Sequence, residues 1–244
     1  MSDVLVLCYH ALSPTWEAEL SLTPESFEYQ IEHMLSHGWH PTTFSGPVLN
    51  TPARRTLAIT FDDAFASVKT YAAPVLARFG APATVFVPTA FPSAGRALCW
   101  PGIAHWAGTA HASELTPMTW DDLGELAELG WEIGSHTRTH PRLTQLDDAQ
   151  LEHELGESRQ ECASRLGRVC QAIAYPYGDV DERVADAARR LGYNAGATLS
   201  RRLERLGPYR YPRIGIYHDD APWRFRLKMD RLTRELRGSA WLRR

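Results

Sequence analysis

A chain of 244 residues with 44% hydrophobic and 23% charged residues has the material for one sizeable core, which excludes disorder as its main theme. Its net charge of -3 argues against a general nucleic-acid binder, whose phosphate affinity draws on an excess of Lys and Arg. The four cysteines, at 8, 99, 162 and 170, show neither C-x-x-C spacing nor disulfide-like clustering and read as free thiols, mostly buried.

In chain order, Met1-Ser2-Asp3 leads straight into an apolar run without the basic and long apolar regions of a signal peptide, and no stretch reaches transmembrane length. The expectation is a cytoplasmic chain with no integral membrane span. Val4 to Tyr9 predicts a buried first strand with His10 at its end. Thr23 caps a helix with Pro24 at its first position, Phe27, Ile31, Met34 and Leu35 on one face, and Gly38 as its stop. Residues 39–44 read as a short strand. Leu57-Ala58-Ile59 is a buried strand that stops at Asp62 and Asp63. Paired carboxylates at a strand's C-terminal end stand where α/β proteins do chemistry, although a single Asp would equally suit a turn or a helix cap.

Val68 to Phe79 reads as helical despite Pro74, and Ala83 to Val87 as a strand closed by Pro88. From Phe91 to Pro117 the pattern dissolves, predicting a long loop. Its Trp100 and Trp106 are either stacking surfaces for a sugar or the loop's own core, the core being the preferred reading. Thr119 caps a helix carrying Leu123, Leu126 and Leu129, and Trp131 to Ser135 is a strand ending in His136. A helical stripe of Leu151, Leu155, Cys162 and Leu166 follows, then a strand from Ala172 leading into Pro176-Tyr177-Gly178. Val184 to Leu191 is helical, and Ala195 to Thr198 and Arg213 to Ile216 are the last strands. The basic tail 223–244, with Phe225, Met229, Leu232 and Leu236 at helical spacing, predicts a final helix packed on the fold rather than attached to a membrane surface.

Strands alternating with helices imply parallel pairing through βαβ units. Polar residues gather at the ends of four strands, which a barrel with its βα loops on one face explains. The expected fold is therefore α/β, an irregular (β/α) barrel of about seven parallel strands, with residues 1–244 as a single domain.

His136 and His140 are four residues apart, a spacing that lets both imidazoles reach one cation from a helical turn or tight loop. With one carboxylate they make three ligands and leave a fourth position open, the pattern of a catalytic zinc-type site. The alternative is that both are ordinary polar loop residues.

Thr60-Phe61-Asp62-Asp63, His136-Thr137-Arg138-Thr139-His140 and Tyr175-Pro176-Tyr177-Gly178, in that order, resemble the successive motifs of the polysaccharide deacetylases, carbohydrate esterase family four. Tyr9-His10 further resembles the poly-N-acetylglucosamine deacetylase branch. The resemblance implies a distorted (β/α) barrel, a divalent metal (Zn2+ first, with Ni2+, Co2+ and Fe2+ as alternatives) and hydrolysis of an N-acetyl group on a sugar or glycan. It implies Asp63, His136 and His140 as metal ligands, Asp62 as general base on the metal-bound water, and the backbone N–H of Tyr177 as oxyanion donor. The general acid is His10 or, through a faint late motif at Ile216-Tyr217-His218-Asp219, His218; His10 is the choice. Two departures stand out. Ala64 occupies a position where the family usually has Gly, and the arginine usual before the Pro-Tyr-Gly turn is absent, so that Arg213 either replaces it or is a surface charge. Two rival readings stay open: a hydrolase of another small or cyclic amide on the same fold, and a non-catalytic carbohydrate-binding relative.

Overall fold

The strands of this chain alternate in which face they bury, and that alternation builds a closed ring. The computed structural model describes residues 3–52, 54–199, 207–230 and 232–234. Val4, Val6, Ala58, Phe86, Ala172, Ala174, Ala195, Ala197 and Tyr211 form one buried cluster with Phe44. Their strand neighbours Leu5, Leu7, Leu57, Ile59, Val85, Ile133 and Ile173 join a separate, larger cluster with the helices. Side chains of period two therefore fill a lumen on one side and bind helices on the other, as a barrel requires.

The ring is all parallel. Asp3–Tyr9 pairs along its whole length with Arg55–Phe61, and Thr84–Val87, Glu132–Ser135, Ala172–Ala174 and Ala195–Thr198 follow in order. Closure comes from one short stretch near the end of the described chain. Tyr211–Pro212 pairs with Ala195–Thr198 on one side, and Ile214–Gly215 pairs with Asp3–Tyr9 on the other. Arg213 lies between the two pairings, so its side chain, in register with Tyr211, enters the lumen. Counting 211–215 as one strand gives eight against the expected seven. The short strand expected within 39–44 is His40–Thr42, which takes the N-terminal half of the Arg55–Phe61 edge while Thr84–Val87 takes the C-terminal half.

Helices predicted from their caps form where expected. Thr23 accepts from the Ser26 N–H at the head of Pro24–Ser36, and Thr119 with Asp122 forms a capping box on Trp120–Glu128. The stretch from Val68 differs from the simple helix expected: it opens as a wide turn, Val68–Ala72, before the α-helix Ala73–Arg78. Pro74 has no N–H and its ring crowds the carbonyl of Thr70, which the wider turn relieves. Two short strands escaped the sequence reading: Ala11–Leu12 pairs with Ser21–Leu22 and sets the intervening loop at the mouth of the barrel. The long segment 91–117 is less irregular than expected, with short helical turns at Ala104–Gly108 and Ala112–Leu115 and with Leu98, Ile103 and Leu115 buried. Of the predicted tail helix, Pro222–Met229 is present with Phe225 and Met229 buried, whereas Leu236 lies outside the described residues.

Gly134 marks how tightly the lumen is filled. A Cβ there would lie 2.6 Å from the Phe86 ring and 2.9 Å from the Ala172 carbonyl oxygen. Gly134→Ala should therefore lower stability by about 1–3 kcal/mol, the usual effect of overpacking, read as an earlier midpoint in urea unfolding.

Candidate active site

Period two carries one set of side chains up the lumen to its mouth. Cys8 and Thr60 are register partners on adjacent strands, and two residues further on along the same faces stand His10 and Asp62. Arg213 meets them from the closing strand. Its guanidinium grips Asp62 with two parallel bonds, Nη1 to Oδ1 and Nη2 to Oδ2, each 2.7 Å, and Nη1 also donates to Thr60 Oγ1 at 3.1 Å. The side chain is fully buried and packs over the Phe86 ring. The surface-charge reading of Arg213 is thereby excluded. Burial pushes the Asp62 carboxyl pKa up, but Arg213 outweighs it, aided by His136, and brings it down to about 2.

Asp63 reaches the same cavity only because the backbone turns. Plain alternation would throw it to the opposite face from Asp62; instead Asp63 and Ala64 adopt left-handed conformations, φ +70° and +54°. The usual glycine at position 64 would hold that conformation without strain, and this chain holds it with a buried alanine. Thr137, His140 and Tyr177 are also left-handed, so every described non-glycine residue with positive φ belongs to one of the three motif turns or directly follows it. Backbone strain gathered in this way marks sites where geometry matters more than local comfort.

The His136–His140 segment is a tight loop. Thr137 Oγ1 accepts from the His140 N–H at 3.0 Å, and the buried Glu154, on the helix Asp148–Leu166, accepts from the N–H groups of Arg138 and Thr139 and from the Thr139 hydroxyl. His136 donates through Nδ1 to the Ala174 carbonyl at 2.8 Å, which leaves a lone pair on Nε2. That Nε2 stands 3.4 Å from Asp63 Oδ1, and His140 Nε2 stands 3.3 Å from the same oxygen. Neither approach is aligned as a hydrogen bond, since Asp63 Oδ1 has no such partner. Burial raises Asp63, but its two imidazole neighbours draw it well below the usual carboxylate range. Two imidazole nitrogens and one orphaned carboxylate oxygen, all buried and within 4.8 Å of one another, fit a divalent cation.

Cys8, His10 and Asp62 form a second close group. The Arg213 guanidinium already neutralises that carboxylate, which disfavours a cation there. Cys8 instead donates its S–H to Asp62 Oδ2 at 3.4 Å, and burial lowers the His10 pKa despite the nearby carboxylates. Sequence reasoning missed Cys8, yet the period-two step from His10 points to it. It also missed Glu154, for which no local pattern exists.

His10, Asp62, Asp63, His136, His140 and Tyr177 all line one cavity of about 520 Å3. His218 does not: its Nδ1 lies 3.2 Å from the Ser21 carbonyl, outside the cavity, and its backbone is tied to Glu19. The structure does not bring this acid candidate into the cavity, because the chain turns away after Ile216 and Tyr217 lines the cavity in its place. Tyr177 is half-buried in the Pro176–Gly178 turn, where Gly178 is obligatory: at φ +68° its Cβ would lie 2.6 Å from the Leu199 carbonyl oxygen. Trp100 is buried against His140, and Trp106 meets Trp16 edge-on. His105 also lines the cavity.

A parallel β/α barrel with a buried two-histidine, one-aspartate group at the C-terminal mouth of its strands defines the class, a β/α barrel with a candidate metal site. A profile of the polysaccharide deacetylase family matches residues 49–196, and the chain belongs to that family. A Bacillus subtilis protein named as a polysaccharide deacetylase, YxkH, is 26% identical over 79% of this chain and 63% of its own length. The poly-beta-1,6-N-acetyl-D-glucosamine N-deacetylase of Staphylococcus epidermidis is 25% identical over 82% of this chain and 69% of its own length. Thus the chain spans roughly two thirds of these relatives. Among solved structures, the Streptococcus pyogenes deacetylase PplD in complex with acetate superposes with a TM-score of 0.74 at 25% identity, covering 93% of this chain and 98% of that one. IcaB from Ammonifex degensii shares the fold, with a TM-score of 0.73 at 20% identity, covering 94% of this chain and 98% of that one.

The Arg213–Asp62 pair has an acid signature. Because the folded pKa of Asp62 is depressed, its contribution is fully present above the unfolded carboxylate value near 4 and drains as pH falls toward 2, amounting to about 2 kcal/mol. Arg213→Met strands Asp62 as a lone buried carboxylate and should cost about 3–5 kcal/mol at neutral pH. Urea unfolding of metal-stripped protein between pH 7 and 2.5 should show this acid limb in the wild type and its loss in Arg213→Met.

Proposed function

We propose that the chain is a metal-dependent N-deacetylase acting on an N-acetylated amino sugar or glycan, with residues 1–244 forming one catalytic domain. The observation that carries this is the convergence of Asp63, His136 and His140 beside an Arg213-clamped Asp62 in one cavity. The single-domain reading draws support from Asp3–Tyr9 and Tyr211–Gly215, which complete the barrel from outside the family-matched segment.

Asp63, His136 and His140 would hold the divalent ion, with Zn2+ the first choice because mixed imidazole and carboxylate donors suit it, and Ni2+, Co2+ or Fe2+ also compatible. When bound, the ion supplies Lewis-acid polarisation and a more acidic water. The remaining work falls to the chain. Asp62 is held ionised and fixed in orientation by Arg213, so it is ready to take a proton from the attacking water. His10, whose ring nitrogen lies within 4.8 Å of an Asp62 oxygen and whose Nδ1 has no partner, would carry the proton to the departing amine. The Tyr177 N–H, on a turn held left-handed by its surroundings, would donate to the developing oxyanion. Aromatic faces at Trp106, Tyr177 and Tyr217 in the cavity wall suit sugar rings.

Retention of the base and all three ligands argues against the non-catalytic reading. Acetate release from a panel of N-acetylglucosamine monomers, oligomers and polymer, run beside cyclic and simple amides, separates the two hydrolase readings. Acetate from sugars alone supports the proposal, whereas turnover of cyclic amides with no acetate from any sugar overturns it.

Three variants test the roles. Asp62→Asn should keep its metal, measured by elemental analysis, and lose about 10²–10⁴-fold in kcat. Asp63→Asn should fail to retain the ion after dialysis. His10→Ala should leave metal content unchanged, depress kcat by a similar factor and remove the alkaline limb of the pH–rate profile.

A further inference from the structure

The two histidines of the cation group are held by different means. His136 has the usual support, an Nδ1–H bond to a backbone carbonyl that fixes both tautomer and ring plane. His140 has no such bond: its Nδ1 is buried and lacks a hydrogen-bond partner. Its backbone is left-handed, and the His136 ring meets its ring edge-on at 4.8 Å. What fixes this ring is aromatic. The Trp100 indole lies parallel to it at 4.1 Å with an interplanar angle of 23°, and the Tyr177 ring meets it edge-on at 4.7 Å.

Trp100 is itself firmly set. It is 6% exposed, Phe91 packs edge-on against it at 5.4 Å, and its carbonyl accepts from the N–H groups of Ile103 and Ala104. The two residues just before segment 91–117 are stitched to the histidine loop, Thr89 N–H to Thr137 carbonyl at 3.1 Å and Ala90 N–H to Arg138 carbonyl at 3.0 Å. Segment 91–117 thus delivers one flat face to one ligand ring, and nothing else it carries belongs to the cation group.

We propose that Trp100 is a positioning residue for His140, its indole doing by stacking what the Ala174 carbonyl does for His136 by hydrogen bonding. This rests on the reading of His140 as a ligand and deepens it. A ring that shares its lone pair with a cation becomes electron-poor, and an electron-rich indole face attracts such a ring more strongly. Stacking therefore favours the ion-loaded state as well as the correct orientation.

The test uses the full chain stripped with chelator and titrated with Co2+ in competition with a chromogenic chelator. Trp100→Leu, which keeps apolar bulk but no ring, should weaken Co2+ binding about 10–100-fold, the range typical for losing a ligand's supporting contact. It should also alter the Co2+ d–d absorption, while Trp100→Phe restores most of the affinity and the wild-type spectrum. Far-UV circular dichroism confirms that each variant is folded; should Trp100→Leu be unfolded, Trp100→Phe against Trp100→Met decides in the same way. Wild-type affinity and spectrum in the ringless variant would overturn the proposal.

A metal-free readout separates this from failure of the ligand reading. In stripped protein the indole ring current should move the His140 Cε1–H resonance upfield, and that displacement should vanish in Trp100→Leu. If the wild type shows the displacement yet binds no ion, the ligand reading fails and the stacking stands; if it binds the ion without the displacement, the stacking fails.

Discussion

A guanidinium buried in the lumen of a small barrel is the constraint around which this molecule is organised. Arg213 is removed from water entirely, and a lone buried cation would be prohibitive. It is tolerated because both oxygens of Asp62 meet its fork, Thr60 supplies a further acceptor and the Phe86 face lies beneath it. That fit needs room. Ala58, Ala172, Ala174, Ala195, Ala197 and Gly134 keep the lumen wide enough for the Arg213 side chain beside the rings of Phe86, Phe44 and Tyr211. It also needs closure, since Arg213 sits between the two pairings that join the last strand to its neighbours. Fold closure and the charge state of Asp62 are thus set by the same residue.

Above the ion pair, function is built from backbone that no regular element would adopt. The five described non-glycine residues with positive φ would drain stability if left alone. The surroundings hold them: Glu154 satisfies two N–H groups and a hydroxyl of the histidine loop, and Ser135 Oγ accepts from the Thr137 N–H. The strain has a geometric purpose, because consecutive residues of a strand point apart and only a left-handed turn returns Asp63 to the cavity that Asp62 already faces. Ala64 shows the same demand met without glycine.

The family resemblance put an arginine ahead of Pro176, where this chain has none. The carboxylate's partner comes instead from the closing strand, more than thirty residues further on. A barrel makes such relocation cheap: any strand whose inward side chain reaches the same level of the lumen can present the same charge. The electrostatic requirement of Asp62 is met here from a distant position in the chain.

What the sequence determined by itself rests on short-range pattern. Apolar runs ending in His10, Asp62, Asp63, His136 and Tyr177 located strand ends. Caps at Thr23 and Thr119 located helices, because a cap is a contact between residues three apart. The tertiary structure alone decided which residues meet across the ring. Nothing near Arg213 in sequence announces Asp62 as its partner, and nothing near Trp100 announces His140. His10 and His218 both follow strands, yet only the direction in which each chain leaves its strand sends one into the cavity and the other to the Ser21 carbonyl. Local pattern encodes which face a residue occupies; closure of the barrel, a property of all its strands at once, determines what stands opposite it.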